Sequence, residues 1–190
     1  MIDRHAPLPD IPLDYFLHRY RSPRRRERLR PLYETMLVEA TRLAQPATVQ
    51  DEFPVAALPE LAPWFQTRTV AAVLAICTMG APVEQTIAEL FAEDEPQLAM
   101  ILDEICLQLV SAMARAIHAG VRQSALARGL RVGPPYRPGI GRWPLAAQQA
   151  IFDRLPAREI GMSLDGYLYM RPLKSTSLII PLRATTGADS

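Results

Sequence analysis

An α+β fold, with a small, twisted, mostly antiparallel sheet packed against long helices, is what this 190-residue sequence predicts. Three observations carry that prediction. Residues 95–128 place Leu98, Ile101, Leu102, Ile105, Leu109, Met113 and Ile117 at helical spacing through several turns. TVAAVLAICTMG (69–80) is a continuous apolar run closed by glycine, the pattern of a buried strand. Near the C-terminal end, IGMSL, GYLYMRPL and TSLIIPLR are short β-type segments separated by Gly166 and the polar KSTS. Helices and strands come in blocks rather than in strict alternation, which favours α+β over a doubly wound sheet.

The elements follow in order. Residues 1–21, spotted with proline and aromatic residues, read as an N-terminal arm that packs by Tyr15, Phe16 and Tyr20. Ser22 before Pro23 starts a helix, because its hydroxyl can accept from a free amide and the proline ring already holds helical φ. Leu29, Leu32, Tyr33, Met36 and Leu37 continue that helix until Pro46 ends it. Arg24, Arg25, Arg26, Arg28 and Arg30 crowd its N-terminal turns, where cations oppose the helix dipole. They read either as a solvated face or as a docking patch for an acidic partner. Residues 47–63 are broken by prolines and read as strand or coil. PVEQTIAELFAED (82–94) is a short helix with Val83, Ile87 and Leu90 on one face.

The 95–128 helix, capped by Gly129, is about 45–50 Å long at 1.5 Å per residue, enough to span the domain. PPYRPGIGRWP (134–144) then holds four prolines and two glycines in eleven positions. Proline lacks the amide donor and glycine costs entropy in regular structure, so this is a stiff loop. PLAAQQAIFDRL (144–155) is a helix with Pro144 at its start, and ATTGADS (184–190) reads as a disordered tail. The organisation is an arm (1–21), one domain (22–183) and the tail.

Composition excludes several functions. A net charge of +1 does not suit a chain built to grip nucleic acid or an anionic membrane. Arg, Asp or Glu breaks each apolar run short of a membrane span. MIDRHAPLPDIP has no apolar core of a secretory signal, and with the cysteine usage this points to the cytoplasm. Cys77 and Cys106 each sit inside an apolar run with no cationic neighbour, so they read as buried packing thiols rather than nucleophiles or a disulfide. No P-loop is present, and Gly139-Ile140-Gly141 does not follow a strand as a dinucleotide fingerprint requires. His5, His18 and His118 are too scattered for a metal triad, and His118, beside the apolar stripe, reads as a hydrogen-bonded structural histidine. The chain has one lysine, Lys174, against twenty arginines.

The stretch RPGIGRWPLAAQQAIFDRL, followed by IGMSLDGYLYMRPLKSTSLIIPL, resembles the reactivation domain of cobalamin-dependent methionine synthase, in particular its free-standing bacterial short form. That family carries Pro-Gly-Tyr-Gly, then Trp-Pro-Leu and a helix, then a strand ending in a Pro-x-Lys-Ser-Val-Ser turn. Pro138, Gly139, Gly141, Trp143, Pro144, Leu145, Pro172, Lys174, Ser175 and Ser177 match that order and spacing. CTMG (77–80) stands at the family's Ala-Thr-Leu-Gly strand end, and LDEICLQLV (102–110) falls on its long helix. The similarity spans most of residues 65–182, its specific part 136–177.

The resemblance implies an activation-domain-like α+β fold that binds S-adenosylmethionine extended over the loop. It implies a site of Tyr136, Arg137, Pro138, Gly139, Ile140, Gly141, Trp143, Lys174 and Ser175, with no catalytic residue and no metal of its own. Cobalamin would be carried by a partner, a corrinoid-binding methyltransferase protein, with a flavodoxin-type electron donor. The domain's task would be placement of the methyl group near cobalt. For Trp143 core packing is an alternative, and for Lys174 a solvent-facing turn.

The sequence departs from the family at named positions. Pro135 replaces an arginine, Ile140 the tyrosine between the glycines, and Ser111 and Arg115 stand at long-helix glutamates of the full-length enzymes, one of which contacts the ligand's amino group. A late tyrosine of those enzymes lies beyond Arg183. Asp3-Arg4-His5 opens like a cobalamin-ligating signature, but Leu8 replaces its glycine. Three readings therefore stand: a reactivation factor acting in trans, an interaction subunit with a degenerate pocket, and an enzyme using another small molecule in the same groove.

Overall fold

The computed structural model describes residues 1–185, and residues 186–190, most of the expected tail, lie outside the described residues. The chain runs through β1 (Ile2–Asp3), α1 (Leu13–Leu17), α2 (Pro23–Leu43), β2 (Ala47–Pro54), β3 (Thr69–Thr78), α3 (Ala81–Ala92) and α4 (Pro96–Leu126). It continues with β4 (Leu130–Val132), α5 (Ala147–Phe152), β5 (Ser163–Leu164), β6 (Met170–Arg171) and β7 (Ser175–Ala184). Five strands form one antiparallel sheet in the order β1-β2-β3-β7-β4, and β5 pairs with β6 in a separate hairpin. The predicted α+β class is the observed one.

The sheet is buried on both faces, which explains why 69–80 reads as continuously apolar rather than alternating. Successive side chains of a strand point to opposite faces. Val73, Ala75 and Cys77 of β3, with Leu178, Ile180 and Leu182 of β7, therefore pack under α1 to α4. Ala72, Leu74, Ile76 and Ile179 face a second core with Trp143, α5 and the 155–162 segment. α4 supplies the largest part of the helix layer through Leu102, Ile105, Cys106, Leu109 and Met113. At 31 residues it spans about 46 Å at 1.5 Å per residue.

α4 is long and apolar enough to cross a membrane by length and composition, although Asp103, Glu104, Arg115 and Arg122 interrupt its apolar run as the sequence indicated. Its apolar stripe is instead buried against the sheet and α2.

The N-terminal region is tied down at both ends. Ile2 and Asp3 pair with Val49 and Thr48 at the sheet edge. Phe16 and Leu17 are buried, with Phe16 stacked on Tyr33 at 5.7 Å, whereas Tyr15 is exposed, contrary to its expected packing role. A five-residue helix offers only one side to the core, and Phe16 and Leu17 take it. Tyr33, fully buried, donates to Glu104 at 2.7 Å and lies within 3.0 Å of the Tyr20 hydroxyl, while Arg19 reaches both Tyr33 and Glu104. Burial pushes the Tyr33 phenol far above its ordinary range, so it serves as a neutral donor.

α2 begins as expected, with Ser22 Oγ accepting from the Arg25 amide at 3.4 Å and Pro23 in its first position. Much of the arginine cluster is engaged within the fold. Arg25 lies 4.9 Å over the Tyr20 ring, Arg26 donates to the Tyr20 carbonyl, and Arg30 pairs with Asp14 at 2.8 Å. These contacts hold the first 21 residues on the helix layer.

Two short elements escape the sequence pattern. β4 is only three residues, and α5 is six rather than the twelve of 144–155, because turns at 145–146 and 153–155 consume its ends. Gly80, in the segment that leads β3 into α3, has φ +85, and a Cβ there would lie 2.8 Å from Gln45 Cβ. Gly80→Ala is expected to lower unfolding free energy by about 1–3 kcal/mol through backbone strain and that clash. Gly120→Ala, on α4 with open space around it, is expected to add about 0.5–1 kcal/mol. Urea denaturation of both variants checks the pair.

Candidate functional site

The stiff loop extends the line of β4 along the free edge of β7. Gly133 donates to Pro181 O at 2.9 Å, and Tyr136 and Ile179 exchange both backbone bonds at 2.9 and 2.8 Å. Pro134 and Pro135, between these two pairing points, carry no amide to offer a further strand on the outer side. Beyond them the chain makes a tight turn. Gly139 donates to Trp143 O at 2.9 Å and Ile140 to Arg137 O at 3.1 Å, with Gly139 and Gly141 at φ +80 and +63. Gly139, Ile140 and Gly141 are solvent-exposed at the tip, whereas Pro138 is buried. The turn therefore spends part of its amide capacity internally, and what it presents outward is the tip of the backbone with the Ile140 side chain.

Trp143 anchors this loop. It is 2% exposed and stacks on Tyr136 at 5.1 Å, with Phe65 edge-on at 5.5 Å. Its indole Nε1 is buried without a hydrogen-bond partner, an uncommon arrangement for a buried tryptophan. Arg142 ties the loop to the 62–64 turn by donating to Trp64 O at 2.6 Å. Trp143 thus occupies the second core, and Tyr136 lies beside it.

The start of β7 divides the remaining predicted residues between the two faces of the sheet. Lys174 turns to the helix layer and pairs with Asp103 of α4 at 2.5 Å; its side chain is 15% exposed, so it is not a solvent-facing turn residue. Ser175 turns the other way, its Oγ 2.8 Å from both Thr78 Oγ1 and Pro172 O. Thr78 Oγ1 in turn accepts from the Gly80 amide at 3.0 Å, which makes Ser175 a brace of the β3–α3 turn. Ser177 donates to buried Gln148 Oε1 at 3.0 Å, and Gln148 Nε2 donates to Leu168 O at 2.8 Å, joining α5 and the β5–β6 hairpin to the sheet.

The charge of Arg137 acts on Cys77, and those of Lys174 and Asp103 act on Cys106. Lys174 and Asp103 stand at the seam between sheet and α4, while Trp143 and Tyr136 belong to the second core on the other side of the sheet. Ser111 is half-buried and Arg115 exposed on the same helix.

Sequence reasoning did not single out Asp103, Gln148 or Glu84. Asp103 meets Lys174 across 71 residues of chain (174 − 103). Glu84 accepts from the Leu173 amide at 2.7 Å. No local pattern links such partners. His118 behaves as predicted, its Nε2 3.0 Å from Gly133 O. Among the described residues, no group of three or more His, Cys, Asp and Glu side chains lies together to hold a metal ion.

Both thiols are electrically silent. Burial pushes Cys77 and Cys106 up to about 12 from an ordinary 9.0, outweighing the nearby cations. At pH 8 neither is expected to react with a disulfide reagent in the folded chain, and both should react once it is unfolded in urea. Folded pKa values above the unfolded ones mean that this stabilisation is complete below pH 9 and lost as pH rises toward 12. Melting temperature should fall over that window, and less steeply in the double variant C77A/C106A.

Comparison with known proteins places this geometry in a recognised fold. No family model matches the chain, and no curated protein matches it. Among solved structures, the crystal structure of the MetH reactivation domain bound to AdoHcy superimposes with a TM-score of 0.66 at 15% sequence identity. The match covers 90% of this chain and 70% of that one. The α+β architecture built around the β3–β7 pair is thus the fold of that reactivation domain.

Proposed function

We propose that this chain is a stand-alone reactivation-domain-like protein that binds S-adenosylmethionine and supports reductive methylation of a corrinoid protein in trans. The observation that carries the reading is the Pro138-Gly139-Ile140-Gly141 turn, its tip exposed and its base anchored by Trp143. It sits in a fold whose solved counterpart holds AdoHcy.

The residues present fit such a ligand in kind. S-adenosylmethionine carries a carboxylate, an ammonium, a sulfonium and an adenine ring. Arg137 offers a forked cation to the carboxylate, and Asp103, 44% exposed in its pair with Lys174, offers an anion to the cationic end. The chain's own contribution is orientation: a rigid turn and a long helix fix the ligand with little ordering cost. The corrinoid, on the partner, supplies the methyl-accepting metal, and a flavodoxin-type donor the electron.

A second reading, an interaction subunit of a corrinoid methyltransferase system with a degenerate pocket, is favoured by specific positions. Pro135, Ser111 and Arg115 remove charged contacts that the resembled family provides, and Ile140, 62% exposed, replaces a tyrosine.

Calorimetry separates the two. Micromolar binding of S-adenosylmethionine and S-adenosylhomocysteine is expected, weakened about tenfold or more in R137A, the loss of one charge-assisted hydrogen bond. Absence of heat with both ligands, together with co-purification of a corrinoid protein that neither the ligand nor K174A disturbs, would reject the first reading and leave the second.

A further inference from the structure

We propose that the arginine-rich start of α2, with the cleft beside it, is a docking surface for an acidic segment of a partner protein, and that an apolar side chain of that segment seats in the cleft. Residues 19–30 carry seven arginines (19, 21, 24, 25, 26, 28 and 30) and one glutamate, in a chain whose net charge is +1. The cleft, about 380 Å³, lies where Tyr20 and Leu29 meet Pro96, Met100 and Ile101 of α4. Glu104 lines it, whereas the neighbouring Asp103 pairs with Lys174. The surface is therefore separate from the loop and the α4 seam, and it does not rest on the function proposed above.

The fold leaves most of this charge unanswered. Arg19 pairs with Glu104 and Arg30 with Asp14. Arg25 lies over a tyrosine ring and Arg26 donates to a carbonyl, partners that carry no charge. The side chains of Arg21, Arg24 and Arg28 are exposed and have no hydrogen bond or ion pair with any described residue. Arg24 also stands in the first turn of α2, where a cation opposes the helix dipole, so its placement does not serve the helix. The cleft is the second observation. Met100, which lines it, is 65% exposed on a helix that buries Ile101, Leu102 and Ile105. An apolar hollow bordered by unpaired cations is the complement of an acidic segment with an apolar anchor.

The same details favour protein over nucleic acid or membrane. Arg24 and Arg28 are one helical turn apart, about 6 Å along the axis at 1.5 Å per residue. Carboxylates two residues apart in an extended chain are separated by about 6.6 Å, close to that distance. Glu27 and Glu104 stand within the surface and repel a continuous phosphate backbone, whereas separate carboxylates can be set around them. Single-stranded nucleic acid stacks its bases on free aromatic faces. Here Arg19 and Arg25 each lie 4.9 Å over the Tyr20 ring, and Tyr33 is fully buried. A membrane is met by projecting apolar side chains rather than by a hollow.

Fluorescence anisotropy tests the surface on the full chain with a labelled synthetic peptide, Glu-Glu-Leu-Phe-Glu-Glu. Poly-glutamate, a single-stranded oligonucleotide and phosphatidylglycerol vesicles are the competing probes. Saturable binding of the peptide is expected, weaker at ~200 mM than at ~50 mM salt. It should be tighter than that of poly-glutamate or of the peptide with Ser-Ser in place of Leu-Phe. R24Q/R28Q should lower affinity about tenfold or more, as two charged contacts are lost, and M100S about fivefold. R24Q/R28Q should melt no lower than the parent, an outcome that a structural role for these arginines does not give. The proposal is overturned if the peptide does not bind saturably, or if R24Q/R28Q binds it as tightly as the parent. Tighter binding of the oligonucleotide or the vesicles overturns the choice of partner, and equal binding of poly-glutamate overturns the apolar seat.

Discussion

The pairing of β3 with β7 is the constraint on which the rest of the molecule depends. The two ten-residue strands lie in register from Thr69 opposite Arg183 to Thr78 opposite Ser175, with one irregularity near Thr69. Because both faces of this pair are apolar, each face needs its own cover. The helices supply one, and the Trp143 loop with α5 supplies the other. A ladder covered on a single side would leave Leu74, Ile76 and Ile179, all fully buried here, in water. Each buried aliphatic side chain contributes about 1.5–3 kcal/mol, so the second layer is a condition of the sheet rather than an ornament on it.

The same pair sets where the chemistry stands. Alternation where the chain enters β7 sends Lys174 to α4 and Ser175 to the opposite turn, so two neighbouring residues of one motif do separate jobs. Lys174 and Asp103 bind strand to helix, and Ser175 with Thr78 holds the turn before α3. The loop meets β7 farther along, at Ile179, and closes the sheet edge before it turns outward. Its stiffness thus has two origins, prolines that cannot extend the ladder and a tryptophan sunk in the core.

Long, strongly patterned segments were legible in the sequence. α4 and β3 follow from periodicity and from an unbroken apolar run, because those patterns record burial directly. The start of α2 follows from Ser22 and Pro23, whose capping chemistry is local. β1 and β4 were not legible, since strands of two and three residues carry no period and exist only because a longer strand offers them an edge. The same holds for the site: the glycines, Trp143 and Lys174 are visible as residue types in order. That Trp143 stacks on Tyr136 and that Lys174 meets Asp103 are consequences of topology. The arginines at the start of α2 read in the sequence as a solvated face or a docking patch; they are exposed, and three of them also fasten Tyr20 and Asp14, partners the sequence did not name.

A two-faced central strand also shapes how such a chain can change over evolutionary time. Neighbouring residues of β3, such as Val73 and Leu74, contribute to different cores. Substitutions at sites with no shared partners combine nearly additively. Drift in the helix layer, where Ser111, Arg115 and Asp103 stand, can therefore proceed without disturbing the layer that seats Trp143. The architecture separates the inheritance of the scaffold from the inheritance of specificity, and a loop can stay recognisable while the helix beside it is rewritten.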